Sequence, residues 1–301
     1  MDASAQADLP RPKARASLLA NKAVVDWLGI LPFVLFAVMF LIAPTLFLVV
    51  GAFQTPAGDF TLDNIAGLFT DKILAAYWIS IKISLASSLG GAAIGFALAW
   101  AVVLGGVPGW VRGGIVTFSG VASNFAGVPL AFAFLATLGR TGLVTVLLRE
   151  YAGFNLYSTG FNILSFFGLT ITYMFFQIPL MVLILTPALE GLKKEWGEAA
   201  AILGATPRQY WTMVALPILW PSLLGTTLLL FANAFGAVAT AISLTGSSLN
   251  IVPIVLYAQI RGDVLHNANL GYALALGMIV ITGVSNVLYI WLRMRAERWQ
   301  K

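Results

Sequence analysis

The chain has 301 residues, 59% of them apolar and only 10% charged, with a formal net charge of +5. A soluble domain carries about 25% charged residues; at a mean hydropathy of +0.91 this chain cannot cover a water-facing surface of its size and must be mostly lipid-embedded rather than disordered. The absence of cysteine excludes disulfides, thiolate zinc sites and thiol nucleophiles, and the single histidine, His266, excludes a multi-histidine metal site.

Residues 1–26, with Pro10 and Pro12, read as an uninformative tail. Six apolar runs follow, at Trp27–Phe53, Tyr77–Leu104, Ile115–Leu138, Ile163–Leu189, Ile218–Ser243 and Leu270–Leu292. Each reaches the ~20 residues that a helix needs to cross a bilayer core of ~30 Å. The first is too long for a signal-peptide core and ends in no small-x-small cleavage site. Open strands would leave backbone groups unpaired in lipid, and nothing alternates like a barrel. The expected fold is therefore an all-α integral membrane protein, with a six-helix transmembrane domain over 27–292 and a basic tail at 293–301.

Positive charge orients the chain. Arg11, Lys13, Arg15, Lys22, Arg112, Lys193, Lys194, Arg208, Arg293, Arg295, Arg298 and Lys301 fall on one side. Lys72, Arg140, Arg149 and Arg261 fall on the other. The first side is expected to be cytoplasmic, with both termini there. The net charge is thus a topology signal, and nucleic acid is not expected as a partner.

In the second run Lys82 stands about two turns from the external end, where it either snorkels to the headgroups or faces a solute path. Gly91-Ala-Ala-Ile-Gly95 is a small-xxx-small pattern, suited to packing within the chain or to a subunit interface. Three carboxamides, Asn124, Gln177 and Asn233, lie near the middle of runs three, four and five. Gly127 and Pro129 follow Asn124, and Pro179 follows Gln177; such breakers survive in lipid only where protein or a cavity covers them. The amides either line a translocation pathway or bond helix to helix. No Asp or Glu lies in any run, so the ion-coupling ligands of a secondary carrier or an acid pair for catalysis are missing.

Two long external loops are expected at 139–162 and 244–269. The first holds Gly139-Arg140-Thr141-Gly142 and an apolar stretch at Leu143–Leu148. The second holds a short helix at Ile251–Ile260, broken at Pro253, then Arg261-Gly-Asp263 and His266, a solvated loop residue.

The cytoplasmic loop 190–217 carries the most informative spacing. Trp196, Ala199, Ala200 and Leu203 recur at i, i+3, i+4 and i+7, the face of one helix. Gly204 follows where a C-cap needs a left-handed residue, and Thr206-Pro207 supplies an N-cap and first-turn proline for a second short helix. Glu198 could meet Arg208 or a partner. By its periodicity alone the segment could equally be an amphipathic helix on the membrane surface.

Glu198-Ala199-Ala200, three residues, Gly204, nine residues, Val214, then Leu216-Pro217 resembles the EAA loop of ABC importer permeases, with Val214 where the family has Ile. The resemblance implies a type I importer permease in a bacterial inner membrane. Its loop would be a coupling helix seated on one of a pair of ATP-binding subunits that hold ATP and Mg. It also implies a second permease subunit, expected to be a different chain, and a periplasmic solute-binding protein. This chain would be non-catalytic and hold no cofactor. Gly139-Arg140-Thr141-Gly142 and the region from run five to the second outer loop resemble spermidine/putrescine-type permeases. That implies a small polar organic solute, polyamine-like first and aminophosphonate-like second. A stand-alone carrier or channel is the alternative.

Overall fold

The computed structural model describes residues 27–261 and 267–297. The tail 1–26, Asp263 and His266, and residues 298–301 lie outside the described residues. Trp27–Gly51, helix α1, is a unit by itself, with a π turn at Val38–Ile42 and almost every side chain exposed.

From Ala52 onward the chain forms a second unit. Its helices are α2 (Asp63–Gly67), α3 (Asp71–Leu104), α4 (Gly109–Ala122), α5 (Gly127–Leu138) and α6 (Leu143–Tyr151). Then come α7 (Phe166–Glu190), α8 (Lys194–Ile202), α9 (Pro207–Phe235), α10 (Val238–Thr245), α11 (Val252–Arg261) and α12 (Ala268–Glu297). Among the described residues six segments are long and apolar enough to span a membrane. The last helix runs past Leu292 and takes Arg293 and Arg295 with it.

The parallel pair α3 and α7 makes the most extensive contact in the bundle. Lipid supplies no hydrophobic drive between helices, so close approach depends on small side chains. Ser80, Ser84, Ser87, Ser88, Gly91, Ala92, Gly95 and Ala99 form one buried stripe on α3. At Gly95 a Cβ would lie 2.5 Å from Met181 Cβ and 2.8 Å from the Ile178 carbonyl. The small-xxx-small pattern is therefore intramolecular. The opposite face of α3 exposes Trp78, Lys82, Leu85 and Leu89. Antiparallel α9 packs on α3 and α7, and α12 packs on α9.

Runs three and five each prove to be two helices. Expected to be continuous over Ile115–Leu138, run three stops at Ala122 and restarts at Gly127. Gly127 sits at φ +74°, and Pro129 in the new first turn cannot extend the earlier ladder. Run five breaks at Gly236-Ala237 between α9 and α10. Pro253 does not break the outer helix; it is the second residue of α11, where a missing N–H is harmless.

Candidate functional site

Helix α8 starts with the extended backbone of Lys193 and ends in a full Schellman cap. Gly204 adopts φ +78°, its N–H donates to the Ala201 carbonyl at 3.0 Å, and Ala205 N–H donates to Ala200 at 2.9 Å. Only glycine takes this conformation without steric cost, so the expected elbow is real and its corner is Gly204. Thr206 then caps α9 in a reciprocal box. Gln209 N–H donates to Thr206 Oγ1 at 3.3 Å, and Thr206 N–H donates to Gln209 Oε1 at 2.8 Å.

The second arm is not a separate short helix. It passes through a π turn at Trp211–Ala215 directly into the membrane segment. The helix then continues to Phe235, although Pro217 and Pro221 each remove an N–H from its ladder. Val214 and Leu216 are half-buried in this stem and Pro217 is exposed.

The predicted stripe of α8 holds only in part. Trp196 and Ala200 are half-buried, but Ala199 is exposed and Leu203 is 86% exposed. Leu203 is the C-cap, where the chain is already turning outward. Instead Gly197 meets the ring of Tyr210, 4.0 Å from where a Cβ would stand. Ile202 at 87% exposure makes with Leu203 an apolar tip at the corner, and Met213, on the second arm, is itself 73% exposed. The tip's signal was an Ile-Leu pair before the capping glycine, of which only Leu203 lies on the stripe. Glu198 is exposed beside a cavity of about 510 Å³ whose walls include Trp100, Tyr210 and Trp211. Of the two contacts open to Glu198, the one with Arg208 is not formed; ion pairs join Arg112 to Glu190 and Arg149 to Glu150. The first of these ties the start of α4 to the end of α7.

The two interrupted spans form a second cluster. At the first break Gly127 N–H donates to Thr240 Oγ1 on α10 at 2.7 Å. At the second, the Ala237 carbonyl accepts from Tyr173 OH on α7 at 2.9 Å. Helix α5 packs on α10, so the second halves of both broken spans lie against each other. One backbone group at each break thus has a side-chain partner on another helix, which suits the membrane interior.

The three carboxamides do not form one lining. Gln177 is completely buried; its Nε2 donates to Ser87 Oγ at 3.2 Å while Oε1 has no partner. It joins α3 to α7, which is the packing role. Asn124 and Asn233 are exposed, and Asn124 donates to the Gly120 carbonyl at 2.9 Å beside the first break. Lys82 is also exposed, with its ammonium 4.9 Å above the Trp78 ring on the outward face of α3.

No family model matches the chain. A "probable sulfate transport system permease protein cysT" of Anthoceros angustus is 31% identical over 166 residues, covering 54% of each chain. The match therefore spans about half the length of that relative. The "molybdenum transport system permease protein ModB" of Escherichia coli is 25% identical, over 64% of this chain and 82% of that one. The "trehalose transport system permease protein SugB" of Mycobacterium tuberculosis is 27% identical, over 74% and 73%. Among solved structures, a subunit of a bacterial ABC transporter involved in the import of alginate superposes with a TM-score of 0.66 at 19% identity. That match covers 94% of this chain and 99% of the other. The fold is that of an ABC importer permease, and the chain is a multi-pass inner-membrane protein.

Proposed function

We propose that this chain is the permease subunit of a binding-protein-dependent ABC importer and that its elbow docks on a separate ATPase. The observation that carries the reading is the exposed pair Ile202 and Leu203 at the Gly204 corner of an elbow whose second arm is continuous with a spanning helix. Large apolar groups left bare outside the apolar spans mark an interaction surface. The excess of Lys and Arg supports a cytoplasmic position for the elbow. The names of the relatives support an assembly of this kind.

In this reading the ATPase pair binds ATP and Mg, and closure of the pair pushes the elbow. The push travels along α9 to Gly236, where the helix ends. The breaks at 123–126 and 236–237 then act as the gate, since α5 and α10 pivot there on side-chain hydrogen bonds rather than on a helical ladder. Asn124 and Asn233, exposed near those breaks, are the residues we assign to the solute path or the second permease. Gln177 is not among them. By linkage, loaded binding protein on the external loops must in turn stimulate ATP hydrolysis.

The relatives carry the names of sulfate, molybdate and trehalose systems, and the superposed structure that of an alginate importer. They support a polar, oxygen-rich solute. The polyamine-like and aminophosphonate-like expectations draw no support from them. A stand-alone carrier would leave the exposed elbow without a purpose and would need acids that the apolar runs lack.

The test is ATP hydrolysis by the complex isolated from its native membrane, with and without loaded binding protein. Leu203→Asp and Ile202→Asp should leave the fold intact and abolish the stimulated rate. Should no ATPase accompany the chain, or should both variants keep full stimulation, the docking assignment is wrong.

A further inference from the structure

A cavity of about 410 Å³ opens between α7, α9 and α12 at the elbow end of the bundle, away from both the elbow and the breaks. Its lining is stratified. Arg293 stands at the rim, exposed. One turn deeper along α12, about 6 Å by the helical rise, lies Tyr289. Gly225 brings that ring against α9, since a Cβ there would meet Tyr289 Cδ2 at 3.3 Å. Ser222 and Thr226, one turn apart on α9, add two hydroxyls, and Leu183 and Ile184 make the apolar wall.

Thr227, the next residue along, satisfies itself by donating to the Leu223 carbonyl at 2.8 Å, as Thr186 and Thr282 do on their own helices. Ser222, Thr226 and Tyr289 carry no hydrogen bond among the described residues, although Thr226 is only 1% exposed. All three line the cavity, so their hydrogen-bonding capacity is open to a ligand there.

We propose that the cavity binds an anionic glycerophospholipid. Its phosphate would meet Arg293, its ester carbonyls would accept from Tyr289, Ser222 and Thr226, and an acyl chain would lie on Leu183 and Ile184. A cation at the rim, hydroxyls spread over the adjoining turns of α9 and α12, and an apolar wall on α7 match the groups of such a lipid. Helix α12 beside the cavity exposes Leu288, Ile290, Trp291 and Met294, as a helix in lipid does. The Arg295 guanidinium lies 4.4 Å over the Trp291 ring, an aromatic and basic pairing typical of headgroup depth. Basic pockets between spanning helices at the cytoplasmic side select anionic headgroups. Only the choice of leaflet rests on the orientation proposed above.

The experiment is native mass spectrometry of the complex after reconstitution in phosphatidylcholine with or without phosphatidylglycerol, counting retained lipid. Wild type should keep phosphatidylglycerol in preference to phosphatidylcholine. Arg293→Gln should lower its occupancy about fivefold, the worth of one basic residue at an anionic surface, and Arg293→Lys should restore it. Thr226→Val, nearly isosteric, should also lower occupancy without shifting the unfolding temperature. Equal retention by wild type and Arg293→Gln, or no preference for the anionic lipid, overturns the proposal. So does binding of inorganic sulfate that Arg293→Gln abolishes while no lipid is retained, which would mark a free-anion site. The lipid count does not depend on whether an ATPase accompanies the chain, so this proposal and the importer reading fail separately.

Discussion

Thr240 Oγ1 on α10 accepts a hydrogen bond of 2.7 Å from the backbone N–H of Gly127 at the start of α5. Residues 113 positions apart thus close the first helix break with the outer half of another broken span. Tyr173 does the same for Ala237 from the unbroken α7. The moving parts of the proposed gate are therefore fastened to each other and to the frame by single side-chain bonds.

Removing either fastening should be felt. Thr240→Val keeps the shape but leaves Gly127 N–H unpaired, and Tyr173→Phe leaves the Ala237 carbonyl unpaired. Each should cost about 1–3 kcal/mol, the desolvation penalty of an orphaned buried group. Denaturant unfolding in mixed micelles reads the loss. Unchanged midpoints would mean that water already serves these groups.

Glycines on α3 and α4 should respond oppositely. Gly95→Ala drives a Cβ into Met181 and the Ile178 backbone, so α3 and α7 must separate, at roughly 1–3 kcal/mol of overpacking. Gly120 on α4 has open space around it. Gly120→Ala should be neutral or stabilise the isolated subunit by up to about 1 kcal/mol through helix propensity. A loss at Gly120 confined to the assembled complex would show that a second permease packs there.

Gln177→Leu should alter stability and leave solute selectivity untouched. The substitution removes the bond to Ser87 but also the buried Oε1 that has no partner. The net change should therefore be small, about 1 kcal/mol in either direction. Transport by the reconstituted complex is the check; a changed solute preference with normal stability would return Gln177 to the pathway.

At the elbow, Gly204→Ala places a side chain at φ +78°, a strain of about 1–2 kcal/mol. Thr206→Ala breaks the capping box and costs about 1 kcal/mol. Neither touches the exposed tip, so both should lower binding-protein-stimulated ATP hydrolysis only partially, whereas Leu203→Asp should remove it. Equal effects from all three would mean that the corner, not the tip, carries the contact.

Much of this was legible before folding. A 59% apolar chain with few charges dictates helices in lipid. The left-handed corner at Gly204 and the Thr206 cap follow from local backbone chemistry, which needs only neighbouring residues. Gly127 and Pro129 announced trouble beside Asn124, though not a complete break. Gly236 went unnoticed because a single glycine in an apolar run is usually tolerated.

Other outcomes depended on contacts between residues far apart in the chain. A carboxamide in the middle of an apolar run looks the same whether it lines a path or joins two helices. Gln177 became packing only because the Gly91 and Gly95 stripe let α3 close on α7. Lys82 turned outward because Ser80 and Ser84 occupy the inner face. Local periodicity settles which residues share a face and where a backbone must turn. Which face meets a neighbour, and which hydroxyl remains unpaired at a seam, is decided by close packing, and that exists only once the spans are assembled.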